Sequence, residues 1–253
     1  MTRPIQKTDT RTAFWSRPTA LFALCGCLLA AQGWAQVAPH PAPHTEAGSS
    51  ASAAAPELHL QLSHSTVGVG DDGVKRSAEF SERLYRNKQY VWVERVIPQG
   101  AHSEAAHSEA DKEHRHLDVV AASRWISRTA DGKTEVRLVL PHDKVVVNVP
   151  PTDYANIGFD GSWNALYHLI DPAMLKEMQA GQTSANKVTY TRKTGDTQVT
   201  VVWDTRLQIP LRVETRTPNS SRKTEVKVLP LAKNWPWEQV TGFQPKDYSD
   251  YLD

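Results

Sequence analysis

The chain has 253 residues, room for one or two domains, with 40% apolar and 23% charged residues, the balance of a globular protein. Its 29 Lys and Arg against 28 Asp and Glu leave a formal charge of +1, which excludes a strongly basic nucleic-acid binder and a strongly acidic tail protein. Mean hydropathy is −0.50, and no apolar run reaches the length of a membrane span.

Residues 1–35 have the layout of a secretory signal. Arg3, Lys7, Arg11 and Arg17 form a positive leader, and residues 19–31 form an apolar core of 13 residues, too short to span a bilayer. Gln32-Gly33-Trp34-Ala35 supplies the small residues of a cut after Ala35. Leu24-Cys25-Gly26-Cys27 offers a competing lipobox with lipid anchoring at Cys27, but that cut would strand Leu28-Leu29-Ala30-Ala31 outside the apolar core. Cleavage near Ala35 leaves 25 basic and 27 acidic residues, a formal charge of −2, and removes both cysteines. The expected mature protein is periplasmic, without disulfide, thiol nucleophile or haem-attachment motif, and without a transmembrane span.

Residues 36–57 are rich in Ala, Pro, Ser and His, and Val37 is the only large apolar residue before Pro56. Such a stretch cannot bury enough surface to offset its ordering entropy and reads as a tether. One domain is expected from 58 to 253. Its dominant signal is period two: Leu58, Leu60, Leu62; Val91 and Val93 alternating with Trp92 and Glu94; Val136, Leu138, Leu140; Val199, Val201, Trp203; Val226, Val228. Short alternating segments separated by Asp72-Gly73, Asp131-Gly132, His142-Asp143, Gly195-Asp196 and Asn219-Ser220 predict about eight or more half-buried antiparallel strands.

Residues 161–181 break the alternation. Ser162 caps one expected short helix that carries Trp163, Leu166, Tyr167 and Ile170. Asp171 caps a second, with Pro172 at its first position, Leu175 and Met178 inward, and Gly181 as its stop. The fold class expected is mainly β: a curved antiparallel half-barrel sheet with two short helices over the concave face. An outer-membrane barrel does not fit, because outward positions carry Glu, Arg, Lys and Asp where lipid demands apolar groups.

Residues 99–116 hold a tandem repeat, Ala-His-Ser-Glu-Ala twice over, followed by Asp111, Glu113, His114 and His116. His102, His107, His114 and His116 with the neighbouring carboxylates are candidate ligands for Zn²⁺, Cu²⁺ or Ni²⁺; the alternative is a duplicated, solvated loop between strands at 90–97 and 117–127. No Gly-x-Ser-x-Gly, His-Glu-x-x-His or phosphate-cradling loop occurs, so neither an enzyme nor a cofactor is expected.

The C-terminal third runs Val199-Thr200-Val201-Val202-Trp203-Asp204, then Ile209-Pro210-Leu211, then Thr224-Glu225-Val226-Lys227-Val228, and finally Phe243-Gln244-Pro245-Lys246-Asp247-Tyr248. This order, with Arg137-Leu138-Val139-Leu140 and Val145-Val146-Val147 upstream, resembles the LolA/LolB-like periplasmic lipoprotein-carrier superfamily, which includes envelope-stress regulators. The resemblance covers residues 84–250. It implies a half-closed sheet with a helical lid over a cavity for acyl chains; by plain packing, Trp203 fills the concave face. On that basis Trp163, Leu166, Tyr167, Ile170, Leu175, Met178 and Trp203 are the ligand-cavity candidates, with a lipid or lipoprotein acyl chain as the expected partner. The alternative is an interaction module for an envelope protein, its cavity filled by those same side chains.

Overall fold

The computed structural model describes residues 55–97, 119 and 121–251. The expected signal segment, nearly all of the tether and the 99–116 loop with its four histidines lie outside the described residues. Among these, twelve strands form one open sheet: β1 (Leu58–Val69), β2 (Lys75–Arg86), β3 (Tyr90–Val96), β4 (Ser123–Arg128), β5 (Thr134–Leu140), β6 (Val145–Val149), β7 (Gln179–Ser184), β8 (Lys187–Thr194), β9 (Thr197–Asp204), β10 (Ile209–Arg216), β11 (Ser220–Leu229) and β12 (Gln244–Asp247). Their spatial order is β12-β6-β5-β4-β3-β2-β1-β11-β10-β9-β8-β7, so the edges are β12 and β7 and the curved sheet does not close. Every pairing is antiparallel except the short β12, which runs parallel to β6.

The turns sit where the sequence places them. Gly73, Gly132 and Gly195 all have positive φ, the region in which a Cβ is penalised, and each closes a hairpin. The β9–β10 turn is organised by Asp204, whose Oδ1 accepts the backbone N–H groups of Arg206 at 3.0 Å and Leu207 at 2.8 Å. Pro210 follows at a register shift in β10, where a missing N–H does not break the ladder.

Between β6 and β7 the chain crosses one face of the sheet. It forms a 3₁₀ segment at Pro151–Ile157, helix α1 at Trp163–Tyr167 and a second 3₁₀ segment at Pro172–Glu177. Both expected caps are present: Ser162 Oγ accepts Ala165 N–H at 3.1 Å, and Asp171 Oδ1 accepts Ala173 N–H at 2.9 Å. The second element is 3₁₀ rather than α, and Gly181 is not its stop. Gly181 lies inside β7, because the segment turns extended at Met178.

On this helix-bearing face lie three apolar clusters. One joins β4–β6 to Tyr154, Ile157 and Phe159, a second joins β1–β3 to Tyr167, and a third joins β9 to Ile170, Leu175 and Met178. Trp163 and Leu166 of α1 pack on both the first and the second, so a single helical turn bridges them. The opposite face is covered too. Helix α2 (Pro236–Gln239) and its flanks lay Trp235, Trp237, Val240 and Phe243 over Tyr85, Tyr90, Trp92, Trp125 and Val139. Trp92 and Val139 are therefore buried, where simple alternation makes their side the polar one.

Candidate functional site

Two polar constructions stand on the helix-bearing face. The first anchors α1. Arg86 ends β2 with its side chain on that face, fully buried, and among the described residues no carboxylate is paired with it. It donates instead to three backbone carbonyls: Nε to Pro56 at 3.2 Å, Nη2 to Leu207 at 2.7 Å, and Nη1 to Tyr167. The guanidinium also lies 4.5 Å from the centre of the Tyr167 ring. Burial pulls its pKa down to about 10, so it stays charged at neutral pH. Next along the chain, His168 Nδ1 donates to the Gln208 carbonyl at 2.8 Å, which fixes the tautomer of the neutral ring. Leu169 and Gln208, both at positive φ, set these two segments against each other at a cost of about 1 kcal/mol or more each. The Asp204 turn thus presents two carbonyls, one to Arg86 and one to His168.

The second construction is a cleft of about 240 Å³ between β2–β4 and the end of the first 3₁₀ segment. Its lining is Glu82, Val93, Arg95, Ala122 and Arg124 from the sheet side with Val119, and residues 155–158 from the crossing segment. Val93, Ala122 and Ile157 are buried and make an apolar floor. Glu82 sits opposite Arg95 in the β2–β3 register, and Val93 opposite Arg124 in β3–β4. Strands lie roughly 4.8 Å apart, so Glu82 and Arg124, on the two strands flanking β3, reach over it to meet at 3.4 Å, Nη2 to Oε1. The other oxygen, Oε2, is 3.2 Å from His64 Nε2, and His64 Nδ1 is 3.0 Å from Thr224 Oγ1. Phe80 stacks on the His64 ring at 4.5 Å, and Arg95 lies over the Phe80 ring at 3.9 Å. Burial alone would raise the Glu82 carboxyl, but the His64 ring and the charges of Arg124 and Arg95 outweigh it and hold the group below its ordinary range.

The seven expected cavity residues are all on this face. Trp163, Leu166 and Tyr167 belong to the clusters bridged by α1; Ile170, Leu175 and Met178 pack directly on Trp203. None of the seven lines the cleft, whose polar members Glu82, Arg95 and Arg124 are not among them. The signal for these three was faint: charged residues in the inward phase of β2, β3 and β4, visible only once register is known. Among the described residues no group of three His, Cys, Asp or Glu side chains is placed to hold a metal. His102, His107, His114 and His116 lie outside them.

No protein-family model matches the chain, and no curated protein matches it. Among solved structures it is similar to a LolA superfamily protein from Nitrosomonas europaea, at 6% identity over 72% of this chain and 88% of that one, with a TM-score of 0.31. It is similar to a DUF1329 family protein from Desulfovibrio piger, at 10% identity over 74% and 92%, with a TM-score of 0.32. A conserved uncharacterised protein from Thermus thermophilus overlaps it at 13% identity over 74% and 90%, with a TM-score of 0.30. Likeness at these identities and scores assigns neither ligand nor activity.

Proposed function

We propose that this chain is an exported, non-enzymatic periplasmic protein that holds an apolar or amphipathic envelope ligand, a lipid or acyl chain, on the helix-bearing face of its sheet. The observation that carries the reading is the cleft: its floor of Val93, Ala122 and Ile157 is continuous with two apolar clusters that Trp163 and Leu166 of the short helix α1 bridge. A cleft of about 240 Å³ falls just under the ~300–1,000 Å³ of ordinary ligand pockets. It has room for a head group and the first carbons of a chain. A longer chain would extend by displacing α1, along Trp163, Leu166 and Tyr167 towards Ile170, Leu175, Met178 and Trp203. The test is native mass spectrometry of protein taken from the periplasm, with titration of a fluorescent fatty acid. Co-purified lipid, or saturable binding at micromolar concentration, supports the reading; failure of both removes it.

One observation favours a second reading, a structural or regulatory module for an envelope protein partner. Ile170, Leu175 and Met178 already pack on Trp203, filling that part of the face with the protein's own side chains. That reading takes over when no lipid is found. Metal binding by the 99–116 histidines is a separate proposal, tested by calorimetric titration of Zn²⁺ and Cu²⁺ into the full chain and into a chain lacking 99–116.

A further inference from the structure

Building on the ligand-holding reading, we propose that the cleft selects its amphiphile by an anionic head, a carboxylate or a phosphate, seated between Arg95 and Arg124. Two guanidinium groups line the cleft, and Glu82 is the one carboxylate among its described lining residues. Among the described lining residues the guanidinium groups thus outnumber the carboxylate by one. Glu82 does not saturate Arg124. Their contact is single and 3.4 Å long, whereas a strong charge-assisted bond is about 2.7–2.9 Å and an arginine fork engages a carboxylate through two parallel bonds. Glu82 is itself divided, one oxygen towards Arg124 and the other towards His64.

Arg95 places its guanidinium carbon 3.9 Å from the centre of the Phe80 ring. A guanidinium seated on a ring still presents N–H donors that can meet an oxygen acceptor. The two arginines sit on adjacent strands, Arg124 opposite buried Val93 and Arg95 two residues further along β3. A head group with two or three acceptor oxygens can bridge them while its first methylenes meet Val93, Ala122 and Ile157. A neutral ester of the same length would displace water from both half-buried guanidinium groups and return only uncharged acceptors, which bind them more weakly than an anionic oxygen does.

The test is calorimetric binding of three probes of equal chain length, decanoate, decyl phosphate and methyl decanoate, to the full chain. At least one anion is expected to bind about tenfold or more tighter than the ester. Arg124→Met and Arg95→Met should each weaken the anion towards the ester's affinity and leave the ester unchanged. Glu82→Gln, nearly isosteric, should tighten the anion several-fold and leave the ester unchanged. Because it moves affinity upwards, it keeps the test decisive where an arginine variant folds poorly by circular dichroism. Comparing the two anions separates a carboxylate from a phosphate source. If the ester binds as tightly as both anions and Glu82→Gln changes nothing, head-group selection is overturned while ligand holding stands. If none of the three binds, both fall.

Discussion

Arg86 donates to the backbone carbonyl of Tyr167 while its guanidinium covers the ring of the same residue, so one buried cation grips both the end of α1 and the side chain that docks it. The other donors hold Pro56, just before β1, and Leu207, in the β9–β10 turn. Three segments distant in sequence therefore meet on one side chain. Among the described residues its desolvation is offset by carbonyl dipoles and a π face, and removing it would leave buried carbonyls without donors beside a large void. Arg86→Ala should cost about 3 kcal/mol or more, measured by urea unfolding. Arg86→Lys, a point charge without the fork, should recover only part of that. A loss below about 1 kcal/mol for Arg86→Ala would refute the anchoring role.

Glu82 supplies a pH signature. Its folded-state pKa lies below the ordinary 4.5, so the unfolded chain binds the proton more readily than the folded one. Stability is then fully present above pH 4.5 and is lost as pH falls through the lower folded value. Unfolding midpoints followed downwards from pH 6 should fall more steeply for the wild type than for Glu82→Gln, which has no proton to bind. Equal slopes would show that the His64 and Arg124 contacts do not favour the carboxylate.

How far the sequence alone reached follows from the range of the interactions. The caps Ser162 and Asp171 were legible because each bonds to a backbone N–H within three residues. In β1, Leu58, Leu60 and Leu62 were legible because the residues between them are more exposed. In β3 the same rule misled. Val91, Trp92 and Val93 are all buried, since Trp237 and Val240 return from the C-terminus to cover the second face, and nothing near residue 92 announces that cover. The cleft was least legible. Glu82 and Arg124 are 42 residues apart and meet only through two strand registers, and Arg86 reads locally as one more charge in the polar run of β2.

His168 supplies a second titration. Burial is the main cause lowering its pKa below 6.5; the Arg86 charge adds to it, against the opposing pull of the Gln208 carbonyl and Asp171. A base with a depressed folded pKa contributes stability that is whole above pH 6.5 and is lost as pH falls through the folded value. Histidine resonances followed by NMR should place its midpoint below 6.5. His168→Gln should flatten the stability profile as pH falls below 6.5. A midpoint above 6.5 would mean that Asp171 and the carbonyl outweigh burial, and this loss of stability with acid would not occur.

The second covered face makes the last prediction. Trp237 is 9% exposed, its ring 5.4 Å from that of Tyr90 and stacked at 4.8 Å on Trp235. Helix α2 has only four residues, too few to be stable alone; it is set by Pro236 at its first turn and by Glu238, whose carboxylate accepts the Trp235 N–H at 3.1 Å. Docking of the aromatic pair must therefore hold the segment, rather than the segment presenting the pair. Trp237→Ala should cost about 3–5 kcal/mol in urea unfolding, as large core truncations do, and should raise dye binding to newly exposed apolar surface around Trp92 and Val139. Glu238→Ala removes one capping bond and should cost about 1 kcal/mol. If the two variants lose the same amount, the C-terminal cover is held by its own helix and not by the aromatic contact with the sheet.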